Sequence, residues 1–275
     1  MMVKRSFLRH IYKKRRSWIH KGQSGKLLIV GGNNVYVGAP MFAATAAMRS
    51  GCDLVYVAAP QRPADIIARI PDLITYRLKG DNISKMHLKQ LLSISKNMDA
   101  LVIGNGIGTS GDTMSAVNGF LTKCTIPAVI DADAIRAVAR KPSLLNGRIV
   151  TPHTGEFFVL SGKKLNSNLH QRKIAAKKFA QQYNCIIVLK GHVDIITDGR
   201  KIALNKTGNV FMTKGGTGDT LAGICGALVA RGIDHFEAAC AAAYINGAAG
   251  DLAACEKKES LLASDIVENI AKVIV

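Results

Sequence analysis

The chain has 275 residues, 48 % of them apolar and 20 % charged, with a mean hydropathy of +0.15. This excludes a disordered protein and fits one large domain or two small ones. Lys and Arg number 37 against 19 Asp and Glu, a formal charge of +18, and such a field attracts phosphates on nucleotides or nucleic acid. The six cysteines include no C-x-x-C pair and read as reduced thiols of a cytoplasmic protein, not as a zinc site or disulfide framework. No stretch reaches membrane-spanning length, so neither insertion nor secretion is expected.

The charge excess begins at once: residues 1–22 carry Lys4, Arg5, Arg9, Lys13, Lys14, Arg15, Arg16 and Lys21, and no acid precedes Asp53. This basic N-terminal extension fits a nucleic-acid arm or an amphipathic helix covering the body through Phe7, Leu8, Ile11, Trp18 and Ile19. No basic and aromatic interleaving recurs, which favours the helix, and no nucleic-acid partner is expected. From residue 23 to 275 the chain reads as one domain, without linker or repeat.

Within it, short apolar runs alternate with Gly-rich turns and Ala-rich helical stretches. Leu27 to Val30 predicts a strand closed by Gly31 and Gly32, then a helix from about Pro40 to Ser50. Further strands are expected at Leu54–Ala58, Ala100–Ile103, Ala128–Ile130, Arg148–Val150, Ile186–Leu189 and Asp194–Thr197. Strands apolar on both faces, separated by helices, define an α/β architecture: a largely parallel sheet covered on both sides. Asp198-Gly199 between two β-rich runs predicts a late antiparallel hairpin. The C-terminal part turns helical at Thr220–Arg231, Phe236–Cys255 and Ser264–Val273, the last with Ser264 as N-cap.

The densest chemical signal is Lys214-Gly215-Gly216-Thr217-Gly218-Asp219-Thr220. Three glycines in four positions let the backbone approach a ligand, and the following helix points free N–H groups and its positive dipole end at that place. A carboxylate at an anion site repels phosphate unless it has a task of its own. The natural task for Asp219 is to take the proton of a hydroxyl attacking a phosphoryl group. The bland reading is an acid that merely favours the helix dipole. No P-loop spacing occurs, and Gly104-Asn105-Gly106-Ile107-Gly108 misses the dinucleotide fingerprint because Thr109 stands at the third glycine position.

Taken in order, Val30-Gly31-Gly32, Gly38-Ala39-Pro40, Gly104-Asn105-Gly106-Ile107-Gly108, Asp131-Ala132-Asp133-Ala134 and Thr151-Pro152-His153-Thr154-Gly155-Glu156 resemble the ADP/ATP-dependent NAD(P)H-hydrate dehydratases of the ribokinase-like superfamily. So do Leu189-Lys190-Gly191, Asn205-Lys206-Thr207-Gly208-Asn209 and Gly215-Gly216-Thr217-Gly218-Asp219. The resemblance covers roughly residues 20–273. It implies an enzyme that repairs hydrated NADH or NADPH, using ADP or ATP as phosphoryl donor with Mg²⁺. Asp219 is then the catalytic base and a substrate contact, beside Ala39, Gly106 and His153.

The resemblance further places the nucleotide on Lys190, Gly191, His192, Val193, Asp194, Asn205, Gly215, Gly216, Thr217 and Gly218. Several alternatives stay open. Gly38 and Ala39 fit a ring contact or a plain helix entry, and Asn205 fits a brace for the glycine loop or a chain turn. Glu156 fits a water-mediated Mg²⁺ contact or a helix cap, and Asn246 fits an adenosine pocket or close helix packing.

Relatives commonly assemble into tetramers, so a homo-oligomer is expected. They also often carry an N-terminal epimerase domain, which here would be a separate protein. Most carry Pro where this chain has Asn105 and Thr154. The main rival is a small-molecule hydroxyl kinase on the same fold, which would use the same Asp219 and glycine turn. A nucleic-acid binder with a vestigial site is a third reading, and the intact Asp219 turn speaks against it.

Overall fold

The computed structural model describes residues 1–15 and 17–274; Arg16 of the basic segment lies outside them. Nine strands form one sheet: β1 (Lys26–Val30), β2 (Leu54–Pro60), β3 (Ile74–Leu78), β4 (Ala100–Ile103), β5 (Ala128–Ile130), β6 (Ile149–Val150), β7 (Ile186–Leu189), β8 (Asp194–Thr197) and β9 (Ile202–Asn205). Their order is β3-β2-β1-β4-β5-β6-β7-β8-β9. All pairings are parallel as far as β7, and β7-β8-β9 is antiparallel. The expected parallel sheet and late hairpin are therefore present.

Leu27 and Ile29 of β1 face one apolar cluster, and Leu28 and Val30 face another, all four fully buried. The first cluster is closed by α2 (Gly38–Arg49), α9 (Thr217–Ala230), α10 (His235–Lys257) and α11 (Ala263–Ile274). The second is closed by α4 (Leu88–Ser95), α5 (Gly111–Lys123), α6 (Asp133–Val138), α7 (Thr154–Ser161) and α8 (Leu169–Tyr183). Helix α3 (Gln61–Ile67) follows β2 directly. Small residues let α2 and α9 approach closely: a Cβ on Gly223 would overlap the Ala43 carbonyl. Cys52, Cys124, Cys185, Cys225 and Cys240 are buried, and Cys255 is exposed.

The N-terminal segment is only partly the expected cover. Helix α1 (Arg5–Ile11) buries Leu8 and Ile11, and Met2 bridges to Leu204 at the outer edge of β9. Trp18, however, is 87 % exposed and Ile19 lies at the surface as well, because the chain has left the helix at Tyr12 and runs in turns there. The cap of α11 also differs. Ser264 lies inside the helix, and the Asp265 carboxylate reaches back to accept from the Leu262 N–H at 2.7 Å. Strand β3 was not foreseen; it is an edge strand with the burial of a half-exposed surface and has no apolar run. Among the described residues no helix is long and apolar enough to cross a membrane.

Candidate active site

The sheet order reverses between β1 and β4, and in an open parallel sheet the crevice beyond the C-terminal strand ends at such a point receives ligands. Register aligns Val30 with Ile103, Ile103 with Ile130 and Ile130 with Val150. The next residues, Gly31, Gly104, Asp131 and Thr151, therefore emerge side by side. Gly104, with φ +128°, passes so close to Asp131 that a Cβ would overlap its carbonyl. Ala132 follows at φ +48°, a left-handed conformation costly for a residue with a side chain. The backbone around Asp131 is thus tightly held.

Asp131 is buried and fully engaged. Its Oδ1 accepts from Thr151 Oγ1 at 2.6 Å and from Lys190 Nζ at 3.2 Å, and its Oδ2 accepts from Asn105 Nδ2 at 3.0 Å. The same Asn105 Nδ2 donates to Asp219 Oδ1 at 2.6 Å. Residues 114 apart in sequence are so joined across the crevice. Burial first, then the neighbouring Asp131 carboxylate, raise the Asp219 carboxyl to about 7, against the lowering effect of the Asn105 hydrogen bond and of Lys190. An acid near neutrality can hold or give up its proton at working pH, as a general base requires.

Lys190 links this cluster to the glycine turn. Its ammonium lies 3.2 Å from Asp131 and 3.7 Å from Glu156, and a Cβ on Gly218 would stand 3.4 Å from it. Burial alone would lower the Lys190 pKa, but Asp131 and Glu156 outweigh it and leave it raised, so the side chain stays cationic. A fixed cation facing the free N–H groups at the start of α9 suits a phosphate between them. Thr217 Oγ1 fixes that turn by donating to the Met212 and Lys214 carbonyls at 2.9 and 3.0 Å.

A cavity of about 810 Å³ opens on this side, lined by His153, Lys190, Gly191, His192, Asp194, Gly215, Thr217 and Gly218 among the expected residues. Sequence reasoning named neither Val210 nor Met212, which also line it, as do Thr207 of the Asn205–Asn209 block and Gly247 beside Asn246. Val210 and Met212 lie in a short 3-10 turn just after that block, where no motif marks them. Asn246 also lines it while packing: its amide donates to the Thr217 carbonyl at 3.2 Å and accepts from Thr220 Oγ1 at 2.7 Å. Val193, Gly216 and Asn205 stand outside the lining. Asn205 is buried and donates to Asp194 Oδ2 at 3.0 Å, while Asp194 Oδ1 accepts from the Gly191 N–H at 3.0 Å. It therefore braces the loop from behind.

Asp219 is also absent from this lining and belongs to the crevice at β1 and β4. There Gly106 packs against Ala39 and Tyr36; a Cβ on Gly106 would come within 3.1 Å of the Ala39 Cβ and 2.8 Å of the Tyr36 Cβ. Tyr36 is 58 % exposed at the mouth. Two half-sites thus meet at the glycine turn, one with Lys190 and one with Gly106, Ala39 and Asp219. His153 caps α7: its Nδ1 accepts from the Gly155 and Glu156 N–H groups at 3.0 and 3.2 Å, and Glu156 Oε2 accepts from the His153 N–H at 2.8 Å. Among the described residues no group of three His, Cys, Asp or Glu could cage a metal. That donor set fits Mg²⁺ only as an ion carried by phosphates and water, with a single carboxylate such as Glu156 nearby.

The order of strands and the crevice at their reversal give a ribokinase-like α/β fold. A hydroxyethylthiazole kinase from Pyrococcus horikoshii shares the fold, with a TM-score of 0.65 at 18 % identity. Closer likeness narrows this. The family model of NAD(P)H-hydrate dehydratase matches residues 27–272, and the chain belongs to that family. It is 44 % identical over 269 residues to a bifunctional NAD(P)H-hydrate repair enzyme of Hyperthermus butylicus, covering 94 % of this chain and 50 % of that one. It is 35 % identical over 277 residues to an ADP-dependent (S)-NAD(P)H-hydrate dehydratase of Cenarchaeum symbiosum, covering 99 % and 96 %. An ADP/ATP-dependent NAD(P)H-hydrate dehydratase of Bacillus subtilis, co-crystallised with ATP and Mg²⁺, superposes with a TM-score of 0.82 at 28 % identity, covering 99 % of this chain and 96 % of that one. The chain spans about half the length of most of the curated relatives it matches.

Proposed function

We propose that this chain dehydrates the S epimer of NADH or NADPH hydrate at the expense of ADP or ATP, a carbon–oxygen lyase reaction of metabolite repair. The observation that carries this reading is Asp219, a carboxyl with a pKa of about 7 at the first turn of α9, directly behind Gly215–Gly218 and between the two half-sites. Asp219 takes the proton of the ring hydroxyl as its oxygen attacks the terminal phosphoryl group, whose bond to the nucleotide breaks. The N–H groups at the start of α9 and the Lys190 ammonium hold the charge on the transferred group. Phosphate then departs with the C–O electrons, pushed by the ring nitrogen lone pair, and a proton lost from the neighbouring carbon restores the dihydropyridine.

Gly106 and Ala39 leave room for the ring, His153 stands at the edge of the nucleotide cavity, and the loop Gly191–Asp194 receives the nucleoside. Glu156 would stand near Mg²⁺ carried with the nucleotide, where the ion would supply neutralising charge. A cytoplasmic place and a homo-oligomer belong to the same proposal. Light scattering tests the oligomer. The hydroxyl-kinase reading is supported by shared fold alone.

The deciding assay follows reduced-nicotinamide absorbance with purified NADH hydrate, Mg²⁺ and either ADP or ATP, beside Asp219→Asn. Recovery that needs one nucleotide and vanishes in the variant is expected. Folded, nucleotide-binding protein that restores no absorbance with either nucleotide overturns the reading.

A further inference from the structure

The turn Gly104-Asn105-Gly106 has one side chain, and that side chain is fully buried. Both flanking positions are glycine by necessity, since a Cβ at Gly104 would overlap the Asp131 carbonyl and one at Gly106 would crowd Tyr36. The Asn105 carbonyl is itself fixed, accepting from the Gly32 N–H at 2.8 Å. A rigid turn thus aims the Asn105 amide at two carboxylates on different elements: Asp131 after β5, at 3.0 Å, and Asp219 on α9, at 2.6 Å.

We propose that Asn105 is a positioning residue for the reaction, its amide N–H bonds clamping Asp131 and Asp219 together so that Asp219 faces the acceptor hydroxyl. This rests on the reading of Asp219 as the base. Two nearby carboxylates repel, and a bridge between them must offer two donors. A primary amide does so, whereas a hydroxyl offers one hydrogen and a carboxylate none. The amide cannot sit the other way round, because Oδ1 would then face the Asp131 carboxyl oxygen, which already accepts the amide N–H. Asn105 Oδ1 is buried without a partner among the described residues. Leaving an acceptor unsatisfied is a cost that a purely structural staple would avoid.

The clamp also acts on the charge of Asp219. The groups bearing on that carboxylate are Asp131, Asp133 on α6, Lys190 after β7 and Asn105 itself. Asn105 and Lys190 favour its ionised form and the two acids oppose it. Removing the amide therefore leaves Asp219 harder to ionise and free to rotate.

The test is a carboxyl-carbon NMR titration of the full chain labelled at aspartate, with Asp219→Asn to assign the resonance. It does not depend on the dehydratase activity, so the clamp and the functional reading fail separately. The Asp219 midpoint is expected to rise by on the order of one unit in Asn105→Ala, further in Asn105→Asp and less in Asn105→Ser, which keeps one donor. In the dehydratase assay the Ala variant then loses about fivefold in kcat at pH 7 from ionisation alone, with nucleotide KM unchanged. An Asp219 midpoint equal to wild type in folded Asn105→Ala overturns the proposal. Failure of both the Ala and Ser variants to fold overturns it too, by making Asn105 a structural staple.

Discussion

The guanidinium of Arg172 lies where a side chain on Gly191 would have to go. A Cβ there would overlap both terminal guanidinium nitrogens, one of which donates to the Lys190 carbonyl at 3.0 Å. Arg172 is buried on α8 and braces the loop Lys190–Asp194 from beneath. Gly191→Ala therefore pushes the flexible end of Arg172 aside and breaks its bond to the Lys190 carbonyl, which loosens the loop and raises nucleotide KM by about threefold, with kcat less affected. Arg172→Ala removes the obstacle as well as the brace. In the double variant the two effects are non-additive, which steady-state kinetics with ADP and ATP check.

Asp219→Asn keeps the shape of the site and removes the base. Turnover falls by about 10²–10⁴, the usual worth of general-base catalysis, while nucleotide affinity, measured by calorimetry, holds.

The same substitution changes stability in a pH-dependent way. In the folded chain the Asp219 carboxyl is raised to about 7, against about 3.9 when unfolded. Between those values the folded state binds a proton that the unfolded state has lost, so this group's contribution to stability falls as pH rises from about 4 to about 7 and is level above. Asp219→Asn abolishes that slope, and thermal melts at pH 8 find the variant more stable than wild type.

The catalytic rate follows the same ionisation with the opposite sense. With Asp219 as base, kcat/KM rises with pH up to about 7 and then levels. Lys190, whose pKa is raised, keeps its charge across that range and adds no alkaline fall below its ordinary value. A rate profile from pH 5 to 9 checks both limbs.

Gly223→Ala places a methyl group against the Ala43 carbonyl, where α9 crosses α2. Neither helix can retreat without opening the cluster of Leu27, Ile29 and Val102 beneath them. The expected cost is about 1–3 kcal/mol, read from urea denaturation.

The parts of the fold that were legible in the sequence are those with local causes. Leu27–Val30 and Ala100–Ile103 are apolar on both faces because both faces are covered, and Asp198-Gly199 turns a hairpin by its own backbone preference. The glycine turn before Asp219 was legible as the entry to a helix N-terminus for similar reasons. What was hidden depends on partners distant in sequence. Arg172, in a helix rich in lysine, looks like solvated surface until Gly191 is seen against it. Asn105 looks like a turn residue until Asp219 arrives from 114 residues away. The α11 cap misled because Ser264 and Asp265 are both good N-terminal residues, and only the backbone path decides which reaches Leu262.

The cysteines offer a practical handle. Burial pushes the thiol of Cys52 up to about 11 and those of Cys185 and Cys240 up to about 12, and raises Cys124 and Cys225 as well. A maleimide dye therefore reacts at exposed Cys255, on the same helix as Asn246 and about 13 Å further along its axis. One turn before the dye, the Asp251 carboxylate accepts from the Gly208 N–H at 3.0 Å and from Asn209 Nδ2 at 2.9 Å, so the label sits beside a loop that borders the nucleotide cavity. Wild-type protein is in this way ready for fluorescence reporting of nucleotide arrival, with no engineered cysteine.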